Sequence, residues 1–351
     1  MNEPHSVEAG SHEFQFAGAA LVPVFGPTLA GFVGVVALLH FLNLLNWLPP
    51  PKPALTGDEF VMRNRFETAM SGEPAEVLII GDSSSVMGVD ASALGPLLPG
   101  QPRVYNLGLF LGLPMEVYAE AAQKFIERHP GQVRAVILLT TFSRLADAKP
   151  AGPSTAYWRS LFEPGAESKQ IESTGLEGLL MVGSFGQGVM ARILPFERHG
   201  RIGVFYGGNA QAAAFVKAHQ GSAFAREVYN RQTSTEKVHW ALDPETMAHA
   251  RHTRAALPRE IAFIYGVMPM PETYGDSAAS AHRARIMREI NGELQADYLL
   301  MHTPATLPDG LFSDLVHLNL NGQGRFTRLL AEELAKLPVW KSVMISEESG
   351  K

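Results

Sequence analysis

Val77-Leu78-Ile79-Ile80-Gly81-Asp82-Ser83-Ser84-Ser85 joins four apolar residues directly to a glycine turn and a run of serines. An apolar run without polar alternation reads as a strand buried on both faces, which is the condition of a parallel sheet covered by helices. Gly-Asp-Ser then falls at the carboxyl end of the strand, where open α/β sheets gather their ligands. If a helix or tight turn starts after Ser83, its backbone donors point at the serine oxygen and favour negative charge on an attacked carbonyl. The same residues also fit a loop in which Ser84 or Ser85 is an ordinary helix cap.

Working outward, short apolar or β-branched runs at 76–80, 103–106, 135–139, 261–265 and 298–302 alternate with helical patterns. Strands alternating with helices predict an α/β domain with a parallel sheet between helical layers. One helix is expected over 114–128, with Pro114 in its first turn and Val117, Ala121 and Phe125 on one face. Another is expected over 323–337, with Phe326, Leu329, Leu330 and Leu334 inward. Between 146 and 258 the alternation stops, and helical stretches at 176–194, 210–229 and 244–256 read as one large insertion. The stretch 176–194 is nearly uncharged, but Glu177, Arg192 and four internal glycines argue against a membrane span there.

Residues 25–48 carry no Asp, Glu, Lys or Arg. At about 1.5 Å per residue such a helix crosses a hydrocarbon core of about 30 Å, so one transmembrane helix is expected. Trp47 suits the membrane interface, and Pro49-Pro50-Pro51 ends the helix. Residues 1–16 lack the basic start of a signal peptide, and no small-residue cleavage site follows, so the anchor is expected to be retained. The expected order is a tail (1–24), a transmembrane helix (25–48), a linker with an amphipathic helix (49–72), and the α/β domain (73–345). Glu3, Glu8 and Glu13 precede the span, and Lys52, Arg63 and Arg65 follow it. Read literally, that charge bias places the domain in the cytoplasm. Those cations equally belong to an amphipathic helix at 58–70, so topology stays open on this count.

The formal net charge of −6, with no run of Lys and Arg, gives no footprint for nucleic acid. The absence of cysteine excludes disulfides, thiolate metal sites and a cysteine nucleophile. His249 and His252 lie three apart beside Arg251 and Arg254 without a third ligand in view, and read as a solvated helix face. Glu272, Asp276 and Glu289 have no paired context and are assigned no role. No metal and no cofactor are expected.

A second chemical feature lies far downstream in Phe312-Ser313-Asp314-Leu315-Val316-His317-Leu318-Asn319, followed by Gly322. A serine nucleophile needs a base, and the base needs a carboxylate to fix its tautomer and stabilise the imidazolium. A three-residue spacing lets Asp314 touch His317 while the outer ring nitrogen faces a distant serine. Alone, Asp-x-x-His fits a satisfied core or capping histidine equally well.

Taken together, Gly81-Asp82-Ser83 after the first strand and Asp314-x-x-His317 near the end resemble the SGNH/GDSL hydrolase family. Gly88-Val89-Asp90 and Tyr105-Asn106-Leu107-Gly108 agree with the family pattern as well. The resemblance covers the core blocks, about half of the chain. It implies a flavodoxin-like three-layer parallel sheet, a triad of Ser83, His317 and Asp314, and an oxyanion hole using Ser83 and Gly108 N–H groups. The family usually adds an asparagine after its third strand, where this chain has Thr140-Thr141-Phe142-Ser143-Arg144. Thr141, or its neighbours Thr140 and Ser143, would supply a weaker donor there, and loss of one such donor can cost about 2.7 to 4 kcal/mol.

The same substitution is similar to a membrane-anchored branch that serves bacterial cell-surface O-acetylation and teichoic-acid alanylation. That likeness implies a serine esterase or O-acyltransferase on a cell-envelope carbohydrate or lipid ester, held at the inner membrane with its domain extracytoplasmic. The competing expectation is a catalytically degenerate accessory subunit of a larger membrane complex, respiratory, photosynthetic or for polymer export. Gly31, Gly34, Asn43 and Asn46 would suit helix packing in such an assembly.

Overall fold

The computed structural model describes residues 18–44, 65–66, 68–72, 74–109, 113–142, 145, 209–223, 241–275 and 277–340. The chain divides into two compact units, one formed by Met1–Ala54 with Glu167–Pro195 and the other by Leu55–Ala166 with Phe196–Lys351. The described part of the first unit is the helix α1, Gly18–Leu44.

The second unit is built on five strands: β1 (Val77–Gly81), β2 (Val104–Asn106), β3 (Ala135–Thr140), β4 (Ala262–Val267) and β6 (Tyr298–Leu299). They lie side by side as β2-β1-β3-β4-β6, and every pairing is parallel. The chain moves outward from β1 to β2, then returns past β1 to β3, so the order reverses at the β1/β3 boundary. A crevice at the carboxyl ends of the strands is expected at such a reversal. Two further two-residue strands, β5 (Met270–Pro271) and β7 (Thr306–Leu307), pair separately and were not foreseen.

Burial explains the unalternating sequence of β1. Leu78 and Ile80 enter one apolar cluster with Val117, Ala121 and Phe125 of α4 (Met115–Arg128), whereas Val77 and Ile79 enter another. That second cluster includes Leu94 of α3 (Ala91–Leu94) and Phe326, Leu330 and Leu334 of α8 (Leu320–Leu334). Both faces of the sheet are therefore covered, as alternation of side chains along a strand requires when each face meets helices. On the α4 side lie α6 (Pro244–Ala255) and α7 (Ala279–Leu294), with α6 packed against both.

Local chemistry sets the helix ends. Pro114 precedes α4 as its cap, so the helix starts one residue later than expected, and the proline's fixed φ suits the entry while its missing donor is no loss there. Asn319 caps α8 by accepting from Gly322 N at 3.0 Å, so this helix starts at Leu320 and ends at Leu334 rather than running over 323–337. In the expected insertion, α5 (Asn209–Ala218) ends before the turn at 219–223. The expected helix at 176–194, most of the linker at 49–72, and residues 1–17 of the tail lie outside the described residues, while residues 18–24, expected as tail, belong to α1.

The span expected at 25–48 is not found: among the described residues no helix is long and apolar enough to cross a membrane. The helix described there is Gly18–Leu44, with Pro23 and Pro27 within it, and Trp47 lies outside the described residues. Each interior proline removes a backbone donor and crowds the preceding turn. The helix nevertheless carries no charged residue, and Phe25, Leu29, Phe32, Val33, Val35, Leu38 and Phe41 are all exposed.

Two buried arginines hold the second unit's irregular backbone. Arg283 of α7 donates to the carbonyls of Val267, Leu300 and Thr303 at 3.3, 2.8 and 2.7 Å, tying the ends of β4 and β6 together. Burial pushes its guanidinium down to about 10, against the opposing pull of Glu333 and Tyr265. It is still charged at neutral pH. Arg65 donates to the carbonyls of Asn106, Gly108 and Gly221, the first at 2.6 Å and the last at 2.5 Å. Arg283→Met should cost on the order of 3 kcal/mol, since it strands several buried carbonyls at once. Arg285→Ala, which breaks an exposed pair with Glu289, should cost less than about 0.5 kcal/mol. Urea midpoints compare the two, and equal losses would contradict this ranking.

Candidate active site

β1 ends at Gly81, whose φ of +143° lies outside the range of ordinary side chains. A Cβ there would sit 1.8 Å from the Leu139 carbonyl oxygen of β3, so only glycine lets the chain turn this close to its neighbour. Asp82 follows and caps the short helix α2 (Ser83–Gly88) by accepting from Ser84 N at 2.9 Å. Ser83, the first helical residue, is thereby delivered half-buried at the carboxyl end of β1.

His317 arrives from a different part of the chain. Phe312 and Leu318 form an isolated antiparallel bridge, and Ser313 N donates to His317 O at 2.8 Å, closing a tight loop before α8. Within that loop Asp314 Oδ1 accepts from Val316 N at 2.9 Å and His317 N at 2.8 Å. Its Oδ2 lies 2.7 Å from His317 Nδ1, and His317 Nε2 lies 2.7 Å from Ser83 Oγ. The carboxylate can only accept, so Nδ1 carries the ring hydrogen and Nε2 accepts from the Ser83 hydroxyl. The structure thus brings together the three residues singled out from sequence, 234 positions apart at the serine and histidine.

Burial differs along this relay. The His317 side chain is 8% exposed and that of Asp314 is 38% exposed. Burial pushes the Asp314 carboxyl up, but the hydrogen bond and charge of His317 and the N–H groups of Val316 and His317 outweigh it. The result is a carboxyl held below its usual range, ionised whenever His317 needs it.

The donors expected for an oxyanion hole are arranged differently from one another. Gly108 N donates to Asn106 Oδ1 at 3.1 Å, and Thr141 donates both its N–H and its hydroxyl to Asp82 Oδ2 at 3.0 Å. Ser83 N makes no hydrogen bond among the described residues. Ser143 lies outside the described residues, and Thr140 Oγ1 lies 3.3 Å from Tyr265 Oη inside the sheet. Among the described residues nothing competes for the Ser83 N–H, while the other two donors are held by side-chain acceptors.

Residues the sequence did not mark include Asp82 and Asn106. Asn106 Nδ2 donates to Ser85 O at 2.9 Å and Val89 O at 3.3 Å, joining β2 to the interior and the C-cap of α2. Its place in Tyr105-Asn106-Leu107-Gly108 was noted only for the glycine. The solvated face expected at His249 and His252 is corrected for His249 and Arg254 only. His249 Nδ1 lies 2.9 Å from Glu116 Oε2 across the α6/α4 contact, its side chain largely buried, and Arg254 is buried as well. The His249 and Arg254 side is turned inward because α6 packs between α4 and α7, while Arg251 and His252 stay exposed as expected. Among the described residues no group of three His, Asp or Glu side chains could hold a metal ion.

Fold and geometry define an α/β protein with a Ser-His-Asp relay at the carboxyl edge of its sheet. No protein-family model, curated protein or solved structure matches the chain.

Asp314→Asn preserves shape but favours the wrong histidine tautomer, so reactivity at Ser83 should fall by about 10⁴. Because the folded carboxyl titrates below its unfolded value, its stabilisation is complete above about pH 4 and is lost as pH falls through the lowered value. Acid unfolding followed by circular dichroism should therefore be shallower for Asp314→Asn than for the wild type. Identical acid limbs would contradict the assigned contact.

Proposed function

We propose that the chain is a serine esterase or O-acyltransferase of the SGNH/GDSL type, with a flavodoxin-like three-layer core. The observation that carries this reading is the unbroken relay of two 2.7 Å contacts from Ser83 through His317 to Asp314. The strand order β2-β1-β3-β4-β6, with Ser83 beside the reversal, supports it.

In the proposed reaction Ser83 Oγ attacks the acyl carbonyl, and its proton passes to His317 Nε2. Asp314 stabilises the imidazolium, and Ser83 N–H faces the developing oxyanion. Collapse expels the alcohol, which takes the proton from His317, and leaves an acyl-serine. Water activated by His317 then gives an acid; a sugar hydroxyl gives a transferred ester. The substrate class proposed is an acyl ester of a cell-envelope carbohydrate or lipid. It follows from the resemblance to membrane-anchored surface-modifying proteins.

The exposed, charge-free apolar surface of α1 supports attachment to a membrane; the bacterial inner membrane and the extracytoplasmic placement of the α/β unit follow from the resemblance. The second reading, a degenerate accessory subunit of a membrane complex, is favoured by the engagement of Gly108 and Thr141.

A fluorophosphonate probe should label the wild type at Ser83, with labelling lost in Ser83→Ala and His317→Ala. Well-folded wild type that stays unlabelled would favour the accessory reading instead. In cell fractionation the chain should remain with membranes through an alkaline wash, and release by that wash would contradict attachment through α1.

A further inference from the structure

Asp82 is 2% exposed, and among the described residues no cation lies within its contacts. A buried carboxylate is tolerated only when its oxygens are filled with donors. Here they are filled in two pairs. Oδ1 takes the N–H and hydroxyl of Ser84, on the far side of the nucleophile, and Oδ2 takes the N–H and hydroxyl of Thr141, just beyond β3. The backbone of Ser83 is thus enclosed between an anchored residue on each side, while its own side chain is left for His317.

We propose that Asp82 is the positioning residue of this site, a clamp that fixes Ser83 against His317 by tying the α2 turn to the end of β3. The inference rests on the reading of Ser83 as nucleophile and adds a role for Thr141. Where the resemblance implies an oxyanion donor, the chain instead has a brace that acts through Asp82. Three features concentrate the effect. The turn at Gly81 has no side chain to hold it, Ser85 Oγ bonds back to Asp82 O at 2.7 Å, and α2 has only six residues. The carboxylate is therefore the link by which the serine turn is registered to the neighbouring strand. Charge-assisted bonds are the stronger kind, which suits a link that must hold one rotatable nucleophile in line with an imidazole.

The test is a double-mutant cycle on the full chain with Asp82→Asn and Thr141→Val, read by the second-order rate of fluorophosphonate labelling. A second readout is the ¹⁵N resonance of His317 Nε2, which reports its contact with Ser83 without any turnover. Each single variant should slow labelling by about tenfold to a hundredfold, the cost of a displaced nucleophile. The double variant should be no slower than Asp82→Asn, because both remove the same link. The Nε2 resonance should move toward its position in Ser83→Ala. Effects that multiply would overturn the proposal by giving Thr141 an independent part in the reaction. So would an unchanged resonance in folded Asp82→Asn. A wild type that never labels would count against the nucleophile reading alone, and the resonance would still decide the clamp. Should Asp82→Asn fail to fold, Ser84→Ala and Thr141→Val each delete one hydroxyl donor. Unchanged labelling and an unchanged resonance in both would overturn the proposal.

Discussion

The carboxyl end of β1 is where the architecture and the chemistry meet, and both depend on how closely the chain can turn there beside β3. Gly81 meets that constraint: with φ at +143° and the Leu139 carbonyl where a Cβ would stand, no other residue fits without moving a central strand. Because β1 and β3 are adjacent central strands buried on both faces, the turn has nowhere to relax. Asp82 then converts a tight turn into a fixed one. The position of Ser83 is a consequence of sheet geometry rather than of a mobile loop.

The other half of the site is held by a different device. His317 sits on a short loop whose bonds are almost all internal, with Asp314 bracing the Val316 and His317 amides while holding the ring. That loop leads into α8, whose apolar face packs under the sheet with β1's Val77 and Ile79. The two halves therefore approach each other because strand and helix share one core. Gln323 strengthens the link, since its side chain donates to Met87 O of α2 at 3.1 Å. The helix that begins with Ser83 and the helix after His317 are joined without any contribution from the relay itself.

What was legible in the sequence was what is local. A buried strand shows as an unbroken apolar run, and both motifs of the relay fit within a few residues, so β1, β3, β4, Ser83 and Asp314-x-x-His317 could be read directly. The brace between Asp82 and Thr141 joins residues 59 apart, and the Arg65 contact to Asn106 joins residues 41 apart. No periodicity announces such pairs. Helix α7 escaped notice because Ile286, Met287, Ile290 and Leu294 are its main buried apolar residues amid charged ones. His249 differs for a related reason: Arg251 and His252 beside it are solvated, whereas packing on α4 buries His249 itself and Arg254 lies inward with it. The short β5 and β7 offer too few residues for any pattern.

The central claim is that Ser83 is an activated nucleophile that carries an acyl group. Intact mass and peptide mapping after brief exposure to an activated acetate ester test it most directly. The account predicts one acetyl group per chain, located on Ser83 and absent from His317→Ala. A chain that stays unmodified, or one acetylated elsewhere while Ser83 remains free, would contradict it.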